Sequence, residues 1–126
     1  MPLVHHELCF ACGRTNLFGL LLEVEETGPG AVAGRCFIKQ DHQGADRGNA
    51  HEGVIATALA EAMALACGLD ARTVSLELSF SAGAPVGAFV DVEARVEQRD
   101  GSLADASATA SINQRVVATA RGRFRS

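Results

Sequence analysis

Apolar and polar positions alternate with a period of two along most of this chain, and one segment breaks that rule. Leu20, Leu22 and Val24 alternate with Leu21, Glu23 and Glu25, and Val32, Gly34, Cys36 and Ile38 alternate again beyond a Thr27-Gly28-Pro29-Gly30 turn. Residues 20–39 therefore read as a β-hairpin. Asp41–Gly48 is polar and contains glycine, as a loop does. After Asp70 the period of two returns. Val74, Leu76, Leu78 and Phe80 form one apolar series, and Val90, Val92, Ala94 and Val96 form the next. Beyond the Asp100-Gly101 turn signal come Ala104, Ala106, Ala108, Ala110 and Ile112, and after Asn113-Gln114 come Val116, Ala118, Ala120, Gly122 and Phe124.

Residues 51–67 follow a different rule. They are rich in strong helix formers, and Gly68 stands where a C-terminal cap is expected. Asn49 and Glu52 have capping-box spacing, with Asn49 as the N-cap. Apolar residues occupy nearly every face, so the helix is predicted to be buried on most sides. The order is thus two strands, one long helix and four strands joined by short turns, and short turns imply antiparallel neighbours. The simplest arrangement is α+β: one curved antiparallel sheet of about six strands wrapped around one central helix. One sheet cannot cover a helix that is apolar all round, so the leftover surface predicts a second subunit.

Composition narrows the picture. The 126 residues suit one domain, 1–126, and 48% of them are apolar. There are six Phe and no Trp or Tyr, so the core must come from Val, Leu, Ile and Ala. The net charge is −4 and the basic residues are scattered, which argues against a nucleic-acid partner. Met1–Glu7 lacks the basic-then-apolar pattern of a signal peptide, and the longest apolar run is interrupted by Thr57 and Glu61. No membrane association is expected. Cysteines at 9, 12, 36 and 67 do not form a dense disulfide pattern, so a reduced, cytoplasmic protein is expected.

Three segments resemble the hotdog thioesterase superfamily, in particular the phenylacetate-pathway (PaaI-like) acyl-CoA thioesterases. Cys9-Phe-Ala-Cys-Gly-Arg-Thr-Asn-Leu-Phe-Gly-Leu20 is similar to the amino-terminal CxxCG…N…GL stretch of many members. His42-Gln-Gly…Asn-Ala-His51-Glu-Gly-Val-Ile-Ala-Thr is similar to the HxG…HGGVIAT run that leads into their central helix. The strand series from Val74 to Phe124 completes the likeness. It implies the hotdog fold and hydrolysis of acyl-CoA to free acid and CoA at a site between two subunits, in a homodimer or dimer of dimers. Coenzyme A would enter as part of the substrate, with no resident cofactor. It also implies that an amide at the helix start polarises the thioester carbonyl while a carboxylate further along the helix acts as base or nucleophile.

The candidate site residues are Glu61, His51, Glu52, Gly53 and Asn49. His51, Glu52 and Gly53 would form the oxyanion corner, with the Glu52 N–H as main donor. The family's helical carboxylate falls nine residues after the histidine, and that position here is Ala60. Glu61 follows it, about 100° further round the helix. Glu61 can act as base, or lie with Thr57 on a thin solvated stripe. Glu52 can substitute as base, or serve the cap with Asn49. Ala60 also admits a non-hydrolytic acyl-CoA or acyl-carrier binding protein. Arg14, Arg47 and Arg72 are loop cations available to CoA phosphates. Cys9-x-x-Cys12 offers two of the four ligands that zinc usually takes, with His5 and His6 close in sequence. No second CxxC exists, so the expectation is no metal and a role in packing the amino-terminal turn.

Overall fold

A computed structural model describes all residues, Met1–Ser126. The elements are β1 (Glu23–Gly28), β2 (Ala31–Phe37), a short 3-10 turn (Gln40–His42), α1 (Glu52–Cys67), β3 (Arg72–Phe80), β4 (Phe89–Asp100), β5 (Leu103–Ile112) and β6 (Arg115–Arg125). The strands form one antiparallel sheet in the order β1-β2-β4-β5-β6-β3, curved around α1 in the hotdog arrangement.

Strand and helix identities follow the alternation and its break, except that the first strand starts at Glu23 rather than Leu20, because Leu21 turns through a left-handed φ of 54°. The order of the sheet differs from the expectation in one respect. β3 is not the neighbour of β4; it pairs with β6 at the far edge. The Gly/Pro-containing stretch 81–88 is a crossing rather than a hairpin turn. Because α1 separates β2 from β3, the helix can be covered only if β3 lies on the other side of it from the first hairpin. The two-residue connections elsewhere do make neighbours. Asn113 (φ 51°) and Gln114 (φ 69°) both take the left-handed conformation that such a hairpin turn requires.

The core is a contact between large helix residues and a sheet face of small ones. Ala58, Leu59, Ala62 and Met63 of α1 are fully buried. Opposite them the inner face of β5 is Ala104, Ala106, Ala108 and Ala110, continued by Ala118 and Ala120 of β6, all buried. Small residues on the sheet let the helix settle close enough for its Leu and Met to fill the space without voids. Leu20, Leu22, Val24, Ile38, Val90, Val92 and Phe124 close the ends of this core. The inward series of β6 does not begin at Val116, as simple alternation suggests. A register shift between Ala110 and Ser111 leaves Val116 47% exposed and turns both Val117 and Ala118 inward.

The edge strand β3 has no buried residue, and its apolar stripe stays open: Val74, Leu76 and Phe80 are 40–48% exposed. No helix is long and apolar enough to cross a membrane.

Leu59→Ala should destabilise the fold by about 2–5 kcal/mol in urea titration, as a cavity in a close-packed core does. Gln114→Gly should stabilise it by a few tenths to about 1 kcal/mol, because glycine adopts positive φ without the steric penalty.

Candidate active site at the start of the central helix

α1 begins at an exposed corner and ends in the core. Glu52 and Gly53 are exposed, whereas Ala62 through Cys67 are all buried. The expected cap is corrected by the structure. His51 is the N-cap, its Nδ1 accepting the Gly53 N–H at 2.7 Å. Asn49 instead turns towards the 81–88 crossing. It forms an isolated bridge with Pro85, and its side-chain amide lies so close to Gly83 that a Cβ there would stand 3.0 Å from Oδ1. The alternative Asn49–Glu52 capping box is therefore not made. The chain turns at Ala50 and His51, where the Ala50 N–H is held by Ala84 O and the His51 N–H by His42 O. Asn49 ends too early to reach the first turn.

This change decides which helix-start donors are free. The Gly53 N–H is used by His51, and the Val54 N–H by the His51 carbonyl. The Glu52 N–H has no acceptor within the chain, and its carboxylate is exposed and unpaired. Because His51 accepts through Nδ1, its ring proton resides on Nε2, a second donor at the same corner. The loop that leads here is held by His42. This side chain is buried, its Nδ1 accepts the Lys39 N–H at 2.9 Å, and burial, followed by the nearby Lys39 charge, lowers its pKa below the ordinary histidine value. Gly44 packs against the His51 backbone, where a Cβ would come within 2.7 Å of the His51 Cα, so only glycine fits the approach.

Glu61 lies elsewhere. It is nine positions along α1 from Glu52, which at the helical rise is about 13 Å. The structure places it in a cluster that the sequence did not assemble. Its Oε2 accepts from His5 Nδ1 at 2.8 Å and from Cys9 Sγ at 3.4 Å, and Cys12 Sγ lies 3.7 Å from the same His5 nitrogen. Burial and the neighbouring Glu61 push the Cys12 thiol far up. A cavity of about 420 Å³ opens beside this cluster, bordered by His5, Cys9, Thr57, Ala60, Glu61 and Arg72. Thr57 bonds back to Gly53 O at 2.8 Å and shares the Glu61 face of the helix. The signal in the sequence for this grouping is CxxC with His5 close by; the Glu61 contribution comes from the fold. Of the three arginines expected in loops, Arg14 reaches Glu23 at 3.5 Å, and Arg72 instead opens β3 and donates to the Leu69 and Ala71 carbonyls. Arg47 is exposed in the loop that precedes the helix.

No family model matches the chain, and no curated protein does. Solved structures do. A thioesterase superfamily protein superposes with a TM-score of 0.83 at 19% identity, over 92% of this chain and 62% of that one, so this chain spans less than two thirds of that protein. A phenylacetic acid degradation-related protein of Ralstonia eutropha gives 0.77 at 19% identity, over 85% of this chain and 86% of the other. The E. coli PaaI protein of the phenylacetic acid degradation operon gives 0.78 at 16% identity, over 84% and 79%. The chain shares the fold of these proteins.

His42 ties this corner to pH. Its folded-state pKa is depressed, so the folded chain binds fewer protons than the unfolded one. Its contribution is complete above the unfolded value of about 6.5 and is lost as pH falls below it. The melting temperature should drop between pH 7.5 and pH 5.5, and the drop should be smaller in His42→Asn, which keeps an acceptor near the Lys39 N–H. Parallel curves for the two proteins would contradict this role.

Proposed function

From this shared fold we propose that the chain hydrolyses acyl-CoA thioesters to a free acid and CoA, at a corner formed by the start of α1 and closed by a second copy of the chain. The observation that carries the reading is the unpartnered Glu52 N–H at the exposed end of an otherwise buried helix. A thioester carbonyl becomes an oxyanion as water attacks it. A fixed backbone donor at the positive end of a helix lowers the energy of that charge more than that of the neutral carbonyl. The His51 Nε2–H stands beside it as a second donor.

The water needs a base. Position 60 is alanine, and Glu61 of the same chain is about 13 Å from the Glu52 amide, with one oxygen already taken by His5 and Cys9. We assign the role to the Glu52 carboxylate, which is free and at the corner itself. The second copy is supported by the open apolar stripe of β3, an edge strand with Val74, Leu76 and Phe80 exposed. Arg47, exposed in the loop before the helix and with no ion-pair partner, is our candidate for the cation that meets a CoA phosphate. A second reading, acyl-thioester binding without hydrolysis, is favoured by Ala60 alone.

Release of CoA thiol should be seen with at least one member of a panel of short, medium, long and aromatic acyl-CoAs. Glu52→Gln should lower kcat about 10²–10⁴-fold while leaving the fold intact. Loss in Glu61→Gln with full activity in Glu52→Gln would instead give the base role to Glu61 of the second copy. Silence across the panel, with acyl-CoA still raising the melting temperature, would select the binding reading.

A further inference from the structure

We propose that His5, Cys9, Cys12 and Glu61 bind a zinc-class divalent cation that fastens the amino-terminal segment to the central helix. Four potential ligand atoms, one from each side chain, all lie within 4.8 Å of one another. Tetrahedral zinc with sulfur, nitrogen and oxygen ligands sets its ligand atoms roughly 3.3–3.8 Å apart. Two of the separations fall within that spacing, 3.4 Å from Cys9 Sγ to Glu61 Oε2 and 3.7 Å from Cys12 Sγ to His5 Nδ1, and the hydrogen-bonded His5 Nδ1 and Glu61 Oε2 stand closer, at 2.8 Å. Side-chain rotations that open the His5–Glu61 contact to admit the ion would complete the tetrahedron.

Four further observations point the same way. The grouping is not an accident of neighbouring positions, because Glu61 is 56 residues from His5 and 52 from Cys9. It is also the only charged residue between Gly53 and Cys67, on a helix that otherwise avoids charge. A carboxylate with 12% side-chain exposure, facing two thiols and an imidazole, has its desolvation best offset by a cation. The backbone around the cysteines is a tight turn that holds both sulfurs on one side. The His5 N–H points at Cys12 Sγ (3.3 Å), the Gly13 N–H bonds Cys9 O (2.9 Å), and a Cβ at Gly13 would come within 2.6 Å of the Cys9 backbone. His5 Nε2 is buried without a partner, so the cluster is the only polar contact of that ring.

The donor set selects the ion. Two sulfurs, one imidazole and one carboxylate suit zinc and its borderline relatives, whereas calcium and magnesium take oxygen. All four positions are protein side chains, which makes the site a closed, structural one. Binding sends the two thiol protons to solvent, while His5 ligates through Nδ1 as the neutral imidazole with its proton on Nε2 and Glu61 binds as the anion. The segment thus pinned includes Leu20 and Leu22, whose N–H groups bond the Phe10 and Ala11 carbonyls and which belong to the core.

The test uses the whole reduced chain, with no thioester present, so that its outcome is separate from that of the hydrolysis reading. After chelation, zinc should return to one ion per chain, raise the melting temperature and shield two thiols from a thiol reagent. Cobalt(II) should produce tetrahedral d–d bands and a thiolate-to-cobalt charge-transfer band. Cys9→Ser should lose stoichiometric binding. Glu61→Gln, which keeps the shape of the side chain if Cys9→Ser fails to fold, should weaken retention and shift the d–d bands while keeping the thiolate band. A folded, reduced chain that retains no zinc, cobalt spectra without thiolate bands, a Cys9–Cys12 disulfide formed in place of binding, or binding unchanged in Cys9→Ser would overturn the proposal.

Discussion

The structure depends on the burial of one helix. α1 is 16 residues long and carries a single charge after its first residue, so leaving it in water would expose apolar surface on every side. The sheet answers this with alanine. Ala104, Ala106, Ala108 and Ala110 on β5 and Ala118 and Ala120 on β6 give up side-chain volume so that Leu59 and Met63 can approach. The same demand sends β3 to the far edge beside β6, where it flanks the helix opposite the first hairpin. It also explains why the amino-terminal segment folds back: Leu20 and Leu22 cap the core, and His5, Cys9 and Cys12 gather round the one charge on the helix body.

Burying the body of α1 leaves its first turn at the surface, and that turn is where chemistry is available. A helix start has more N–H groups than acceptors. Here His51 Nδ1 takes one, the His51 carbonyl takes another, and the Glu52 N–H is left over. The corner is rigid because buried residues hold it. His42 fixes the loop before it, and Gly44 permits the close contact with His51. Preorganisation of this kind gives an oxyanion donor its value, since no reorientation is needed when charge develops. The two acidic side chains of α1 are thereby divided between two tasks, Glu52 at the open corner and Glu61 within the sulfur–imidazole cluster.

Much of the fold was legible in the sequence because a period of two and its interruption are local properties. The hairpin of β1 and β2, the helix and the strands β3 to β6 can be read one residue at a time, although β1 starts three residues later than the alternation suggests because Leu21 leaves the extended conformation. What escaped that reading is non-local. The β3–β6 pairing depends on where the helix needs cover. The inward turn of both Val117 and Ala118 depends on a register shift against β5. The cap passed from Asn49 to His51 because contacts from residues 81–88, a distant segment, engage Asn49 and Ala50. Of the candidate site residues, His51, Glu52 and Gly53 are adjacent in sequence and remain together. Glu61 was visible as an unusual charge, and CxxC with His5 nearby as a candidate ligand group, but nothing local joins the two, since His5 and Cys9 lie 56 and 52 residues from Glu61.

The central claim, that the free amide at the start of α1 receives a thioester carbonyl, is tested most directly by amide-resolved NMR. The reduced chain would be titrated with a non-hydrolysable ketone analogue of an acyl-CoA. The account predicts that the Glu52 N–H shifts most and downfield, with Gly53 and the His51 ring following and the outer face of β5 unmoved. Saturable binding that leaves the Glu52 amide unchanged would contradict it.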